Sequence, residues 1–458
     1  MCPCSFKLCP EPAGEGRNQS VALTLEGEKM SRIIGIRHRR KKTSKEEARP
    51  TMVAIKSNDG KVVCYELAND TAELDFLMNR FPIEWQPIQP GDDISCYQAH
   101  HLKWRKVAKD EDTSLLNINH MRKTTDKKGL PVVEVAVKIP VMYDGLFEGD
   151  RVAMVLGGSG DRFAAALSRK GEDINAKVYR LPPFSLASNR NDDDKKNDHL
   201  NLIRIFEEKP ELFYQVRRRD RELVRVKGAL SARQDALKQR IACEQSILQS
   251  LNDQIFLNEE GCFPEGVIEE QFNSAKANDT ILQSLLEEED RRNKKLASAV
   301  EALDIWKRIF KNIEGVGPRL AAGIIAPIAD IRRFMAPNGS ARLKKFCGVH
   351  VMDDGRFPRR RAGELANWSP WARQALYLLA DQFNRRPNSD WGKKLLHYKL
   401  VLRQRHPEPI EAQNSAGIMV KRFTNGHIHR MAQWRTLTKF VEWLYKQWIR
   451  IENEKSEV

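Results

Sequence analysis

The chain has 458 residues, enough for two or three domains with cores of their own. Its 77 Lys and Arg outweigh 62 Asp and Glu, a formal charge of +15, and residues 311–458 alone hold 27 basic and 13 acidic side chains, a net +14. Charge gathered at one end suits a polyanion; no apolar run nears the roughly 18 residues of a membrane span and no signal-peptide pattern opens the chain, so the expectation is a cytoplasmic protein with no membrane partner.

The eight cysteines are Cys2, Cys4, Cys9, Cys64, Cys96, Cys243, Cys262 and Cys347. Five stand singly, which excludes a disulfide framework, and the first three lack the paired C-x-x-C of a zinc site. Residues 1–51 read as a basic, disordered arm. Within it the composition changes at Met30, and the stretch Glu26-Gly27-Glu28-Lys29 is encoded almost entirely by purines, as a bacterial ribosome-binding sequence would be. Met30 is therefore the expected translation start.

Residues 52–210 read as an α/β domain. The segment 52–67 predicts a hairpin around Asn58-Asp59-Gly60, and a helix follows over 71–80. Residues 82–130, polar, irregular and broken by Pro82, Pro87 and Pro90, read as an insertion or a small subdomain. From 131 the text alternates: strand VVEVAVKIP, strand RVAMVL, helix Asp161 to Lys170, strand AKVYRL, helix Asp194 to Phe206. Such alternation predicts a mainly parallel sheet. The GGSG at 157–160 sits at a strand-to-helix turn but lacks the Lys-Ser/Thr of a phosphate-binding P-loop.

Residues 211–310 predict a long antiparallel coiled-coil hairpin, broken at Gly261-Cys262-Phe263-Pro264. Leu223, Leu230, Leu237 and Leu251 recur in sevens, with Glu244 interrupting, and Ile281, Leu285, Leu296, Val300, Leu303 and Ile309 form a stripe on the return helix. Self-association through this coil is the expectation. Residues 311–458 then read as an all-α domain opening on IEGVGPRLAAGIIA. Ile313, Val316, Leu320, Ala321, Ile324 and Ile325 make an apolar face, and Gly315-Val316-Gly317-Pro318 turns between two helices. This reads as a helix-hairpin-helix, whose glycines would admit a phosphate to uncapped helix amides without reading bases, the alternative being a tight turn between packed helices. Arg332, Arg333, Arg342, Lys344 and Lys345 follow it. Gly315, Gly317, Arg319, Arg359, Arg360 and Arg361 are the candidate DNA-binding residues. In the last helix Trp434, Leu437, Phe440, Val441, Leu444 and Trp448 share one face and read as core.

This order resembles the bacterial insertion-sequence transposases and the related Piv-type DNA invertases, over roughly residues 150–380. The resemblance rests on VAMVLGGSGDRFAAALSRKG, KNDHLNLIRIF, IEGVGPRLAAGIIAPIADIRRF, FCGVHVMDDGRFPRRRAGE and ARQALYLLA. It implies a RuvC-like (RNase H-like) first domain, cutting and rejoining of DNA with Mg2+ or Mn2+ held by four carboxylates, and in some members a structured guide RNA. It also implies a serine before a glycine in the second domain. Matched residue by residue, Asp198 takes the last carboxylate position, with Asp194 near the preceding one, where Lys195 stands. Val155 replaces a glutamate, Lys56 stands where the first aspartate is expected with Asp59 nearby, and Asp354 occupies the serine position after Asp353. The implied catalytic set is Asp194, Asp198 and Asp354, and the implied metal ligands are Asp59, Asp194 and Asp198. The expected function is a DNA transposase or site-specific recombinase, the alternative a catalytically inactive nucleic-acid-binding relative.

Overall fold

The computed structural model describes residues 32–454 except 41–46, 90, 109–110, 112–115, 126–128, 192–194, 336–337, 353–354, 356, 360–365, 414–416 and 418. Met30 and the first three cysteines lie outside the described residues. The chain divides between Val216 and Arg217 into two compact units.

The first unit begins with β1 (Ile33–Arg37), β2 (Thr51–Lys56), β3 (Val62–Leu67) and α1 (Asp70–Leu77). Next come β4 (Phe81–Pro87), β5 (Lys103–Lys106), β6 (Met121–Thr125) and β7 (Pro131–Asp144). It closes with β8 (Arg151–Val155), α2 (Asp161–Asp173), β9 (Lys177–Leu181), α3 (Pro183–Ser188), α4 (Asp198–Glu208) and β10 (Tyr214–Gln215). The main sheet runs β10-β9-β8-β1-β2-β3. It is mixed rather than mainly parallel: β1-β2 and β2-β3 pair antiparallel, whereas β1-β8 and β8-β9 pair parallel. The tight turn at 57–60 forces the first kind of pairing, and the crossover through α2 produces the second.

Strand β1 corrects the reading of residues 1–51 as a disordered arm. It pairs on both edges, Ile34 with Ile55 and with Val152, and Ile33 to Ile36 are buried. Five apolar-rich residues suffice for a central strand, and the arginines around them hid it. Alternate β1 residues face two cores: Ile34 and Ile36 pack with Phe76, Phe163 and Leu167, while Ile33 packs with Leu202, Ile203 and Phe206. A Cβ on Gly35 would lie 2.0 Å from the His199 carbonyl, so glycine is what lets α4 approach the strand.

The described residues of 82–130 are not irregular. They supply β5 and β6, which with β4 flank β7 in a second, antiparallel sheet. VVEVAVKIP is thus the spine of that sheet and not a strand of the main one. Prolines at the strand edges and the charged loops masked the pattern.

The second unit starts with α5 (Arg218–Phe256), α6 (Ile268–Asn278), α7 (Thr280–Glu301), α8 (Asp304–Arg308), α9 (Pro318–Ile328) and α10 (Gly339–Phe346). It continues with α11 (Pro370–Arg385), α12 (Asp390–Arg405), the hairpin β11 (Ile410–Gln413) and β12 (Met419–Arg422), and α13 (Asn425–Glu454). α5 and α7 form the antiparallel pair, and α7 starts where Asp279 accepts from the Leu282 amide at 2.6 Å. The base of the pair is no separate module. Val226, Leu296 and Val300 share one core with Ile313, Ile324, Phe383, Phe440 and Trp448. Among the described residues no helix is long and apolar enough to cross a membrane.

Candidate functional site

The hairpin before α9 is built on two apolar anchors, Ile313 and Val316, whose burial fixes the turn between them. Gly315 has φ +84°, and a Cβ there would lie 2.6 Å from Arg386 Nη1. Gly317, at φ −89° and ψ 169°, caps α9 without any side-chain hydrogen bond and faces open space. Pro318 follows as the first helical residue, so α9 presents an uncapped N-terminus to solvent. Arg319 is exposed. Arg386, which the sequence reading did not single out, comes in from the end of α11, its Nη1 donating to Gln382 Oε1 at 2.6 Å. A third guanidinium, Arg233 of α5, lies close enough that Arg319 adds to the burial that lowers its pKa. Two glycines, bare amides and flanking arginines make a geometry that accepts an anion.

Two members of the basic run after the hairpin, Arg332 and Arg333, are engaged inside the fold, while Arg342 and Lys345 are exposed. Arg332 forks Asp330 at 2.6 and 3.0 Å and reaches Asp220 at 2.9 Å, all three largely buried. Those carboxylates raise the Arg332 pKa against the opposing effect of burial. Arg333 stacks on Phe334 and Phe346 at 4.7 and 4.4 Å. Arg359 is exposed, while Arg360 and Arg361 lie outside the described residues.

In the first unit the expected carboxylates do not converge. β1 ends at Arg37, β8 at Val155 and β9 at Leu181. Ile33 pairs with Lys56 and Arg37 with Met52, so the 57–60 turn carrying Asp59 lies at the opposite end of β1 from Arg37. Four residues of strand separate those ends by about 13 Å. Asp198 starts α4 on the Arg37 side, where Arg37 lowers the pKa of the neighbouring His199 in addition to burial. Asp59 and Asp198 therefore cannot share a metal, and Lys56, bonded to Glu207 at 2.6 Å, is not at the site end at all. Asp59 instead accepts from the Lys61 amide. Asp198 is gripped by Arg190, Nε at 2.7 Å and Nη2 at 2.9 Å. Arg180, buried on β9, donates to the Val155 carbonyl and to Asp161. Asp194, Asp353 and Asp354 lie outside the described residues. Among the described residues Asp161 and Asp198 at this end of the sheet are each paired with an arginine and Asp59 lies at the other end, so the implied set of Asp59, Asp194 and Asp198 does not fit one Mg2+.

The structure joins other residues that the sequence left apart. His38 Nδ1 is 2.9 Å from Ser159 Oγ and its Nε2 is 3.2 Å from Glu73 Oε1. Thr51 donates to the same Glu73 oxygen, and Ser159 donates to the Arg39 carbonyl at 2.8 Å. Burial pushes Glu73 up, but bonding to His38 and Thr51 and the Arg39 charge hold it below the ordinary carboxylate value. With its proton given to a backbone carbonyl, Ser159 ties the GGSG turn to β1 and is not presented as a nucleophile.

A second missed group is Asp75, His100 and His101. One ligand atom from each lies within 4.8 Å of the other two, and they could hold a metal ion. Adjacent histidines were the only sequence signal. The chain matches no known protein family and no curated protein.

Proposed function

We propose that the protein binds nucleic acid through the hairpin at Gly315–Arg319, and that it does not cut strands at the site implied by the transposases it resembles. The observation that carries this reading is the open, uncapped start of α9 beside Arg319 and Arg386. On this proposal the first unit is a RuvC-like (RNase H-like) fold. Three antiparallel strands followed by helix-linked parallel ones, in the order β9-β8-β1-β2-β3, support that assignment by analogy of topology. Arg37, Val155 and the Asp198–Arg190 fork favour the catalytically inactive relative over the transposase or recombinase.

DNA is the proposed partner, with a structured RNA as the comparison ligand, in a cytoplasmic setting. Self-association is proposed through the tip of the helical pair, where Phe256, Leu257, Phe263, Val267 and Ile281 are exposed. The test uses the full chain with labelled duplex DNA and structured RNA. Gly317→Val places a branched side chain in open space, so folding should be unchanged while affinity falls roughly tenfold as the phosphate is held off. Equal affinity in that variant would sink the hairpin reading. Supercoiled plasmid with Mg2+ should stay intact; nicking abolished by Asp194→Asn would restore the recombinase reading.

A further inference from the structure

Asp75 lies on α1, which packs under the main sheet, and His100 and His101 end the loop that leads into β5 of the second sheet. The three side chains meet although 25 residues separate Asp75 from His100. His100 Nε2 stands 2.8 Å and His101 Nε2 3.0 Å from the same oxygen, Asp75 Oδ2. The other oxygen accepts from Arg80 Nε at 2.8 Å. Asp75 is 2% and His101 4% exposed, while His100 reaches solvent.

The arrangement can be a carboxylate hydrogen-bonded to two imidazoles, and His101 decides against that. Its Nε2 is buried and, despite the short distance to Asp75, makes no hydrogen bond of acceptable direction. A nitrogen close to a carboxylate oxygen yet not aimed at it is what ligands of a shared cation show. Tetrahedral bonds of about 2.0–2.1 Å put neighbouring ligand atoms roughly 3.3 Å apart, near the spacings found.

We propose that Asp75, His100 and His101 form a binding site for a Zn2+-class divalent ion, with the fourth position open to water on the His100 side. Two imidazoles and one carboxylate suit a borderline cation and not Mg2+, which takes oxygen ligands. Arg80 fixes the carboxylate through its second oxygen, the role of an outer-shell partner. The ion staples the second sheet to α1. The His101 carbonyl is already tied to β4, accepting from Trp85 Nε1 at 2.9 Å, so a bond from His101 to the metal joins that sheet to the helix.

The test takes the full-length protein, stripped by chelator and titrated with Co2+ as the probe. One equivalent should bind with the visible bands of a tetrahedral site and be displaced by Zn2+, and Zn2+ but not Mg2+ should raise the unfolding temperature of the stripped protein. His100→Ala changes an exposed side chain and should leave the stripped protein as stable as wild type while weakening Co2+ binding at least about tenfold. Asp75→Asn should abolish the visible bands. Absence of Co2+ bands, equal affinity in His100→Ala, or a thiolate charge-transfer band assigning the metal to cysteine would each overturn the proposal.

Discussion

At Asp198 the carboxylate that a metal would need is already engaged. Arg190 meets it with two charge-assisted bonds, and both side chains are mostly shielded from water. Replacing Asp198 with Asn removes a two-pronged counter-charge from a mostly buried guanidinium, at a cost of about 3 kcal/mol. Urea unfolding of Asp198→Asn should therefore give a lower midpoint, with Arg190→Ala similar and the double variant less destabilised than the sum. A carboxylate crowded by other ligands would behave oppositely, gaining stability when neutralised, so that result would return Asp198 to a metal site. The sequence did reveal an acid at the start of α4. Its partner, eight residues back, follows no helical or strand period, and the same holds for Asp75 with His100 and His101.

Among the elements, periodicity disclosed what is local and composition misled where charge surrounds a short apolar run. The 52–67 hairpin, α2, β8, β9 and the long helical pair were legible from turn residues and heptads. Strand β1 was not, because its parallel partner β8 lies far along the chain and arginines follow it directly. The helical pair also has a seam that the leucine spacing did not foresee. Arg233 donates to Glu289 at 2.7 Å and to Asn293 at 3.0 Å, Arg240 donates to Glu289 at 2.7 Å and to Glu244 at 2.8 Å, and Arg292 reaches the Ala232 carbonyl. Leu237, by contrast, is only half-buried. Glu289→Gln leaves two guanidinium groups sharing no anion and should cost about 2–3 kcal/mol, more than Leu237→Ala, which removes roughly half a leucine's burial, about 1 kcal/mol. Thermal unfolding of both variants checks the order. If Leu237→Ala is the more damaging, the leucine stripe and not the ion network holds the pair.

For the whole molecule, the charge map and the core map divide the chain at different points. The excess positive charge begins near residue 311, as the sequence reading held, whereas the second unit's core reaches back to Val226 on α5. A cut at 311 would strip Leu296, Val300 and Phe310 from Ile313 and Ile324, so binding is best measured on the intact chain. Nucleic-acid affinity should fall steeply with salt, log K declining by about 0.9 for each phosphate neutralised. Sequence preference should be slight, because backbone amides and the guanidinium groups around Gly315 address phosphate and not base edges. Arg319→Ala with Arg386→Ala should flatten the slope by up to about 2 units. Arg332→Ala removes charge from the same region, yet Arg332 is spent on Asp220 and Asp330 inside the fold. Its loss should lower the unfolding temperature and leave the salt slope of the folded fraction unchanged. If Arg332→Ala flattens the slope as much as the Arg319 and Arg386 pair does, affinity follows total charge and the hairpin has no special part in it.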